Sequence, residues 1–306
     1  MTIRGESIEV NGRRFLTRKM GAGAPAVIFD AALGASSLSW SLVQPEVARH
    51  VLTFSYDRAG FGGSDAGRMP RTSARIAGEL RELLAAAGIA GPFVLVGHSF
   101  GGLCARVFAG RYRQDTAGLV LVDAPHPSQW LNPTAADAWR LRTGVRLARR
   151  GAFAARIGLA KAVSWLVRAG TPNTARRMSF SLGGPALRGR ADYFLGTLNK
   201  LPAEARAEAV AAWMRPRFYE ALASQMESMP QSAQEAAAVG DLGAMPLAVV
   251  TAAEPSERRL AEQQDTLRLS TRSRHWIARR GGHWIPLDDP ATVVEAIVAV
   301  VGQARG

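Results

Sequence analysis

Ser99 and His283 are the residues whose type and setting could do nucleophilic chemistry. Ser99 lies in the run FVLVGHSFGG, from Phe93 to Gly102. Phe93 to Gly97 are all apolar or glycine, which predicts a short buried strand. Gly102 to Phe108 reads as the start of a helix. Between them Gly97-His98-Ser99-Phe100-Gly101 forms a G-x-S-x-G pattern, with the serine at the apex of a tight turn. A Cβ two residues to either side would collide with neighbouring chain. The hydroxyl then projects at the carboxyl end of the strand, above helix N-terminal amides. A serine hydroxyl is a poor nucleophile at neutral pH, so it needs a base and an acid that orients the base. The histidines are His50, His98, His126, His275 and His283. His98 sits inside the turn and points into the fold. His50 ends a helix and His275 lies within a strand. His283 follows Gly281-Gly282 after the last strand and is the best base, in the chain order nucleophile, acid, histidine.

The rest of the chain must position these two groups. Its 306 residues suit one large α/β domain or one domain with an insertion. It is 47% hydrophobic and 21% charged, as soluble globular proteins are. No apolar run has the length of a membrane span, and MTIRGESIEV lacks the apolar core of a signal peptide, so a cytoplasmic location is expected. The single cysteine, Cys104, excludes an internal disulfide framework and a cysteine metal site; it reads as a buried apolar residue. The net charge is +13, carried almost wholly by arginine. The arginines are scattered at helical spacing, without a basic tract or interleaved aromatics on strands, so nucleic acid is not the expected partner.

Ser7 to Val10 and Arg14 to Arg18 predict a strand pair around Asn11-Gly12. Ala26 to Asp30 and Val51 to Tyr56 predict buried strands. The first leads into a small-residue loop and a helix containing Trp40 and Leu42, the second into YDRAGFGGSD. Ile76, Leu80, Leu83 and Leu84 recur at helical spacing between Ser73 and Gly88. Leu119 to Val122 is the next strand, ending in Asp123-Ala124-Pro125-His126-Pro127. From 128 to 235 no strand is predicted. Residues 127–235 hold 16 Lys+Arg against 7 Asp+Glu, a balance of +9. Alternation resumes with Pro246 to Thr251, Glu257 to Leu269, Ser273 to Ala278 and Pro290 to Ala304. The pattern implies a mostly parallel sheet flanked by helices, with ligands at the carboxyl ends of its strands. The expected division is a core of 1–127 and 236–306 with a helical insertion over 128–235.

FVLVGHSFGG, VLVDAPHP and GGHWIPLDDP, with DAALGASSLSW and FSYDRAGFGGSD, resemble the α/β-hydrolase superfamily across nearly the whole chain outside the insertion. The resemblance implies an α/β-hydrolase fold with a helical cap and a Ser-His-acid core of esterase type. It implies no metal or cofactor, and a small-molecule ester or acyl substrate. The oxyanion hole would pair the amide of Phe100 with one from the loop after AVIFD, where the donor position falls on Ala32. Members place the acid after either of two strands. Here these positions hold Asp123, which matches in register and side chain, and Glu254 in VVTAAEP, where relatives commonly carry Asp before Pro. A serine at the apex in place of an aspartate argues against epoxide hydrolysis and haloalkane dehalogenation, while perhydrolysis as a side activity stays open. Asp57 and Arg58 read as braces of their loop, and His126 as a residue that lines the pocket or binds the cap. Cap arginines facing inward would favour an anionic ester. The alternative reading is a small-molecule receptor on the same fold that hydrolyses slowly or not at all.

Overall fold

The apolar runs pair into one eight-stranded sheet. The computed structural model describes residues 5–158 and 198–306. The strands are β1 (Glu6–Val10), β2 (Arg13–Met20), β3 (Val27–Asp30), β4 (Thr53–Tyr56), β5 (Phe93–His98), β6 (Thr116–Val122), β7 (Leu247–Thr251) and β8 (Ser273–Ile277). Their order is β1-β2-β4-β3-β5-β6-β7-β8. β2 pairs antiparallel with β1 and β4, and every other pair is parallel. The β1–β2 hairpin turns at Asn11 and Gly12, both at positive φ (50° and 73°), the conformation a two-residue turn demands.

Strand residues alternate between two cores. Leu95, Leu119, Leu121 and Val249 face one apolar cluster; Val94, Val96, Val120 and Val250 face the other. Helices cover both faces. The first short helix is α1 (Gln44–Val47); α2 (Ser73–Ala86) and α3 (Phe100–Arg111) follow. α2 buries Ile76, Leu80 and Leu83 against the first cluster, together with Leu103 and Phe108 of α3. After β6 come α4 (Ser128–Leu131), α5 (Ala135–Arg156), α6 (Ala203–Trp213), α7 (Pro216–Glu227) and α8 (Met229–Ala237). Met229 and Ala236 of α8 join the cluster of α2 and α3. α9 (Glu257–Leu267) and α10 (Ile285–Asp288) precede α11 (Pro290–Arg305), whose Val293, Ile297 and Val300 line the second face. Of the stretch 128–235 read as a helical insertion, 159–197, with Trp165, lies outside the described residues.

One predicted helix differs. The stretch containing Trp40 and Leu42 is a 3-10 turn at Ser37–Trp40, followed by a turn at Leu42 and the separate α1. Side chains take bonds a longer helix would use: the Ser37 amide and hydroxyl both donate to Asp57 at 2.9 and 2.6 Å, and the Ser39 hydroxyl donates to the Ser36 carbonyl at 2.9 Å.

The sheet changes winding direction at β3 and β5, so the crevice above their carboxyl ends is open to a ligand. Two glycines let α3 begin there. A Cβ on Gly97 would lie 2.3 Å from the Gly101 carbonyl oxygen, and one on Gly101 would lie 2.5 Å from those of Asp30 and Ala31. Backbone atoms cannot step aside as a side-chain tip can, so Gly101→Ala should destabilise the fold by about 1–3 kcal/mol. A urea titration would read this as a lower midpoint with an unchanged slope; an unchanged midpoint would show that α3 can shift freely.

Candidate active site

The turn after β5 holds Ser99 at φ 53° and ψ −122°, a conformation L-residues avoid. Its amide donates to the Val122 carbonyl at 2.9 Å, which ties the serine turn to the end of β6. One residue beyond that end, Asp123 also has positive φ (42°). The parallel register of β5 and β6, which pairs His98 with Val122, thus brings Ser99 and Asp123 to one edge. His283 arrives from after β8 on a glycine loop. Gly281 sits at φ 85°, and a Cβ there would lie 2.2 Å from Asp288 Cβ. Ser99, Asp123 and His283 line one cavity of about 600 Å³, with Leu33, Phe100 and Trp130.

His283 Nδ1 donates to Asp123 Oδ2 at 2.6 Å. That bond fixes the proton on Nδ1 and leaves Nε2 as the basic nitrogen. Asp123 is 8% exposed. Burial pushes its carboxyl up, but the bond and charge of His283 and the nearby Arg259 outweigh this and lower it to about 2. Arg259, in the first turn of α9, donates to Asp123 Oδ1 at 2.9 Å and to the Ala124 carbonyl at 2.8 Å. The sequence carried no sign of this contact: Arg259 is one arginine among many, on a helix face that reads as solvated.

Glu254, the other carboxylate considered, is exposed, and the His283 imidazole is bonded to Asp123. Ala32 is buried, and its carbonyl accepts from the Arg58 guanidinium. Its neighbour Leu33 lines the cavity beside Ser99 and Phe100. Arg58 also reaches Asp30 at 3.1 Å, and Asp57 accepts from the amides of Ser37 (2.9 Å) and Gly63 (2.9 Å), so this pair braces the loops around β3 and β4. His126 meets the first residue of the 128–235 stretch, Ser128, at 2.7 Å and Asp265 of α9 at 3.0 Å. His275 meets Thr251 Oγ1 at 2.7 Å. The Cys104 thiol is buried and pushed up to about 12, chiefly by desolvation, which makes it inert. Among the described arginines of 128–235, Arg140 lines the cavity, but so does its salt-bridge partner Asp137, 3.4 Å away. Among the described residues no group of His, Cys, Asp and Glu is arranged to hold a metal ion, and no helix is long and apolar enough to cross a membrane.

His98 has a second function within the turn. It is fully buried and lies 4.9 Å from the His283 ring, centroid to centroid. Its Nε2–H donates to the His283 carbonyl at 2.7 Å, holding the histidine loop against the serine turn. Burial above all, and then the neighbouring His283, push its imidazole down to about 3.

A family model described as alpha/beta hydrolase fold matches residues 25–198. Among curated proteins, the chain is 33% identical over 115 residues to the uncharacterized protein YqjL of Bacillus subtilis, covering 37% of this chain and 46% of that protein. It is 38% identical over 92 residues to epoxide hydrolase 3 of Xenopus tropicalis, covering 29% of this chain and 25% of that one. The chain thus spans less than half the length of the curated relatives it matches. Among solved structures, a candidate epoxide hydrolase of Pseudomonas aeruginosa superposes with TM-score 0.71 at 17% identity, over 99% of this chain and 96% of that one. A thermophilic esterase of Thermogutta terrifontis superposes with TM-score 0.65 at 21% identity, over 99% and 100%. Identities this low speak for the fold alone.

The depressed His98 makes stability depend on pH. The unfolded chain binds a proton there below about pH 6.5, whereas the folded chain refuses it until about pH 3. Stability is therefore lost as pH falls from 6.5 towards 3, by up to about 1.4 kcal/mol per pH unit from this group. Urea midpoints between pH 4.5 and 7 should show this slope in the parent and lose it in His98→Phe; equal slopes would mean that His98 is charged in the fold.

Proposed function

Since the chain belongs to the alpha/beta hydrolase fold family, we propose that it is a serine hydrolase cleaving a carboxylic ester or related acyl compound. The observation that carries this reading is the 2.6 Å bond from His283 to Asp123, beside a serine on a strained turn in the same cavity. In the proposed mechanism Ser99 Oγ attacks the acyl carbon while His283 Nε2 takes its proton. Asp123 holds the imidazole in that tautomer and stabilises the imidazolium as it forms. The proton then passes to the leaving group, and an acyl-enzyme remains on Ser99. His283 next takes a proton from water, which cleaves the acyl-enzyme and frees Ser99.

The negative charge on the tetrahedral oxygen needs donors already in place. The Phe100 amide is one. The loop after β3 supplies the other, from Ala32 or the adjacent Leu33, with Arg58 anchoring that loop through the Ala32 carbonyl. A lost donor of this kind costs roughly 3 kcal/mol in the transition state. No metal or cofactor enters the scheme, and the described helices α4 to α8 serve as part of a cap over the cavity. Some relatives are named epoxide hydrolases. Here the apex is a hydroxyl, which forms an ester once a base has taken its proton, so acyl transfer suits it better than opening an epoxide.

The decisive variants are Ser99→Ala, Asp123→Asn and Glu254→Gln on a short activated ester such as p-nitrophenyl acetate. Ser99→Ala and Asp123→Asn should each lose at least about a thousandfold in kcat, and Glu254→Gln should stay within about threefold. A fluorophosphonate probe should label the parent and leave Ser99→Ala unlabelled. A folded parent that resists the probe would favour a receptor over an enzyme.

A further inference from the structure

Asp123 is shared. One carboxylate oxygen accepts from His283 at 2.6 Å and the other from Arg259 at 2.9 Å. The guanidinium is itself held. It donates to the Ala124 carbonyl at 2.8 Å and lies 3.6 Å from Glu262. With its amide oxygen turned towards Arg259, Gln263 accepts from Nε at 3.1 Å, and Gln263 is 1% exposed. This is a built cradle for a cation behind the carboxylate.

A carboxylate bonded to one imidazole favours the imidazolium over the free base. A fixed positive charge on the other oxygen opposes that. We propose that Arg259 is a positioning residue that sets the pH at which His283 becomes a free base, by holding Asp123 from the side opposite the imidazole. The proposal rests on the serine-hydrolase reading. Arg259 touches the acid, not the reacting atoms, and lines the cavity with Ser99.

Other charges face the pair. His98 lies against the His283 ring and is uncharged above about pH 3. Arg58 is buried and balanced by Asp30. From α9, Arg258 pairs with Glu262 at 2.9 Å. From α5, Arg140 pairs with Asp137. At the histidine loop, Asp288 pairs with Lys200 at 2.6 Å. Each of these cations has an acid beside it, or is neutral in the working range, and Arg259 is the one bonded to Asp123.

The test is the pH profile of kcat/KM for p-nitrophenyl acetate in the full-length parent, Arg259→Gln and Arg259→Lys. Glutamine should move the acid limb up by about one pH unit. Rates would then be about tenfold lower below the limb and within about threefold of the parent on the plateau. Lysine keeps the charge, so its limb should stay near the parent's, with a plateau within about threefold as for glutamine. If glutamine does not fold, Arg259→Met serves as the neutral variant. A uniform loss at every pH, with the limb in place, would reduce Arg259 to a structural brace and overturn the proposal. A second arm needs no turnover: in a Ser99→Ala background, the low-field imidazole proton bonded to Asp123 is followed by NMR against pH. The pH at which that signal moves should rise when Arg259 becomes Gln, and coincident curves would overturn the coupling. If the parent fails to hydrolyse the ester or to take a fluorophosphonate, the hydrolase reading falls, and the NMR arm still decides whether Arg259 and His283 are coupled.

Discussion

The site depends on a buried carboxylate that has to be shared. An anion as enclosed as Asp123 is tolerable only with partners on both oxygens, and the fold supplies them from elements far apart in sequence. β6 delivers the acid, α9 the guanidinium, and the loop after β8 the imidazole. Each bond constrains the other two elements, so the relative placement of β6, α9 and the last loop is set by one small group. The buried His98 extends the constraint to β5, because it grips the backbone of His283 from within the serine turn.

On the opposite side of the serine a second buried pair performs a parallel task. Arg58 and Asp30 are both nearly inaccessible. Burial against apolar surroundings raises the Asp30 carboxyl, and Arg58 counters part of that rise. The benefit falls on the backbone: the loop after β3 is fixed by a guanidinium reaching its carbonyl, while Gly101 lets α3 approach it without a Cβ between them. The Ala31-Ala32-Leu33 loop is thus held by its own backbone, and needs no polar side chain of its own to keep its place.

How much of this was legible in the sequence depended on the range of the interaction. Continuous apolar runs identified β3, β5, β6 and β7, because strands buried on both faces must be apolar on both. Glycines identified the settings of Ser99 and His283, because the backbone needs them there. The acid was ambiguous for a physical reason. Asp123 and Glu254 both follow parallel strands, and both have positive φ (42° and 52°). Only the spatial approach of a loop 160 positions away from Asp123 distinguishes them. Arg259 was invisible, since its helix reads as a solvated face and its partner lies on another strand. The helix read around Trp40 and Leu42 differs in the other direction: local sequence suits it, but the hydroxyls of Ser37 and Ser39 bond to Asp57 and to the Ser36 carbonyl.

Arg18 of β2 is 2% exposed and meets Glu208 of α6 at 2.6 Å, with Ser37 as a further partner and Asp57 at 3.8 Å. It therefore joins the antiparallel edge of the sheet to a helix that enters the chain after β6. Lifting α6 away would break a charge-assisted bond and leave the guanidinium facing Ser37 and Asp57 alone, at a cost of about 1.5–3 kcal/mol. The pair works as a hasp. It keeps α6 against the loops that follow β3 and β8, where Ala205 packs with Ala32, Leu38 and Trp284.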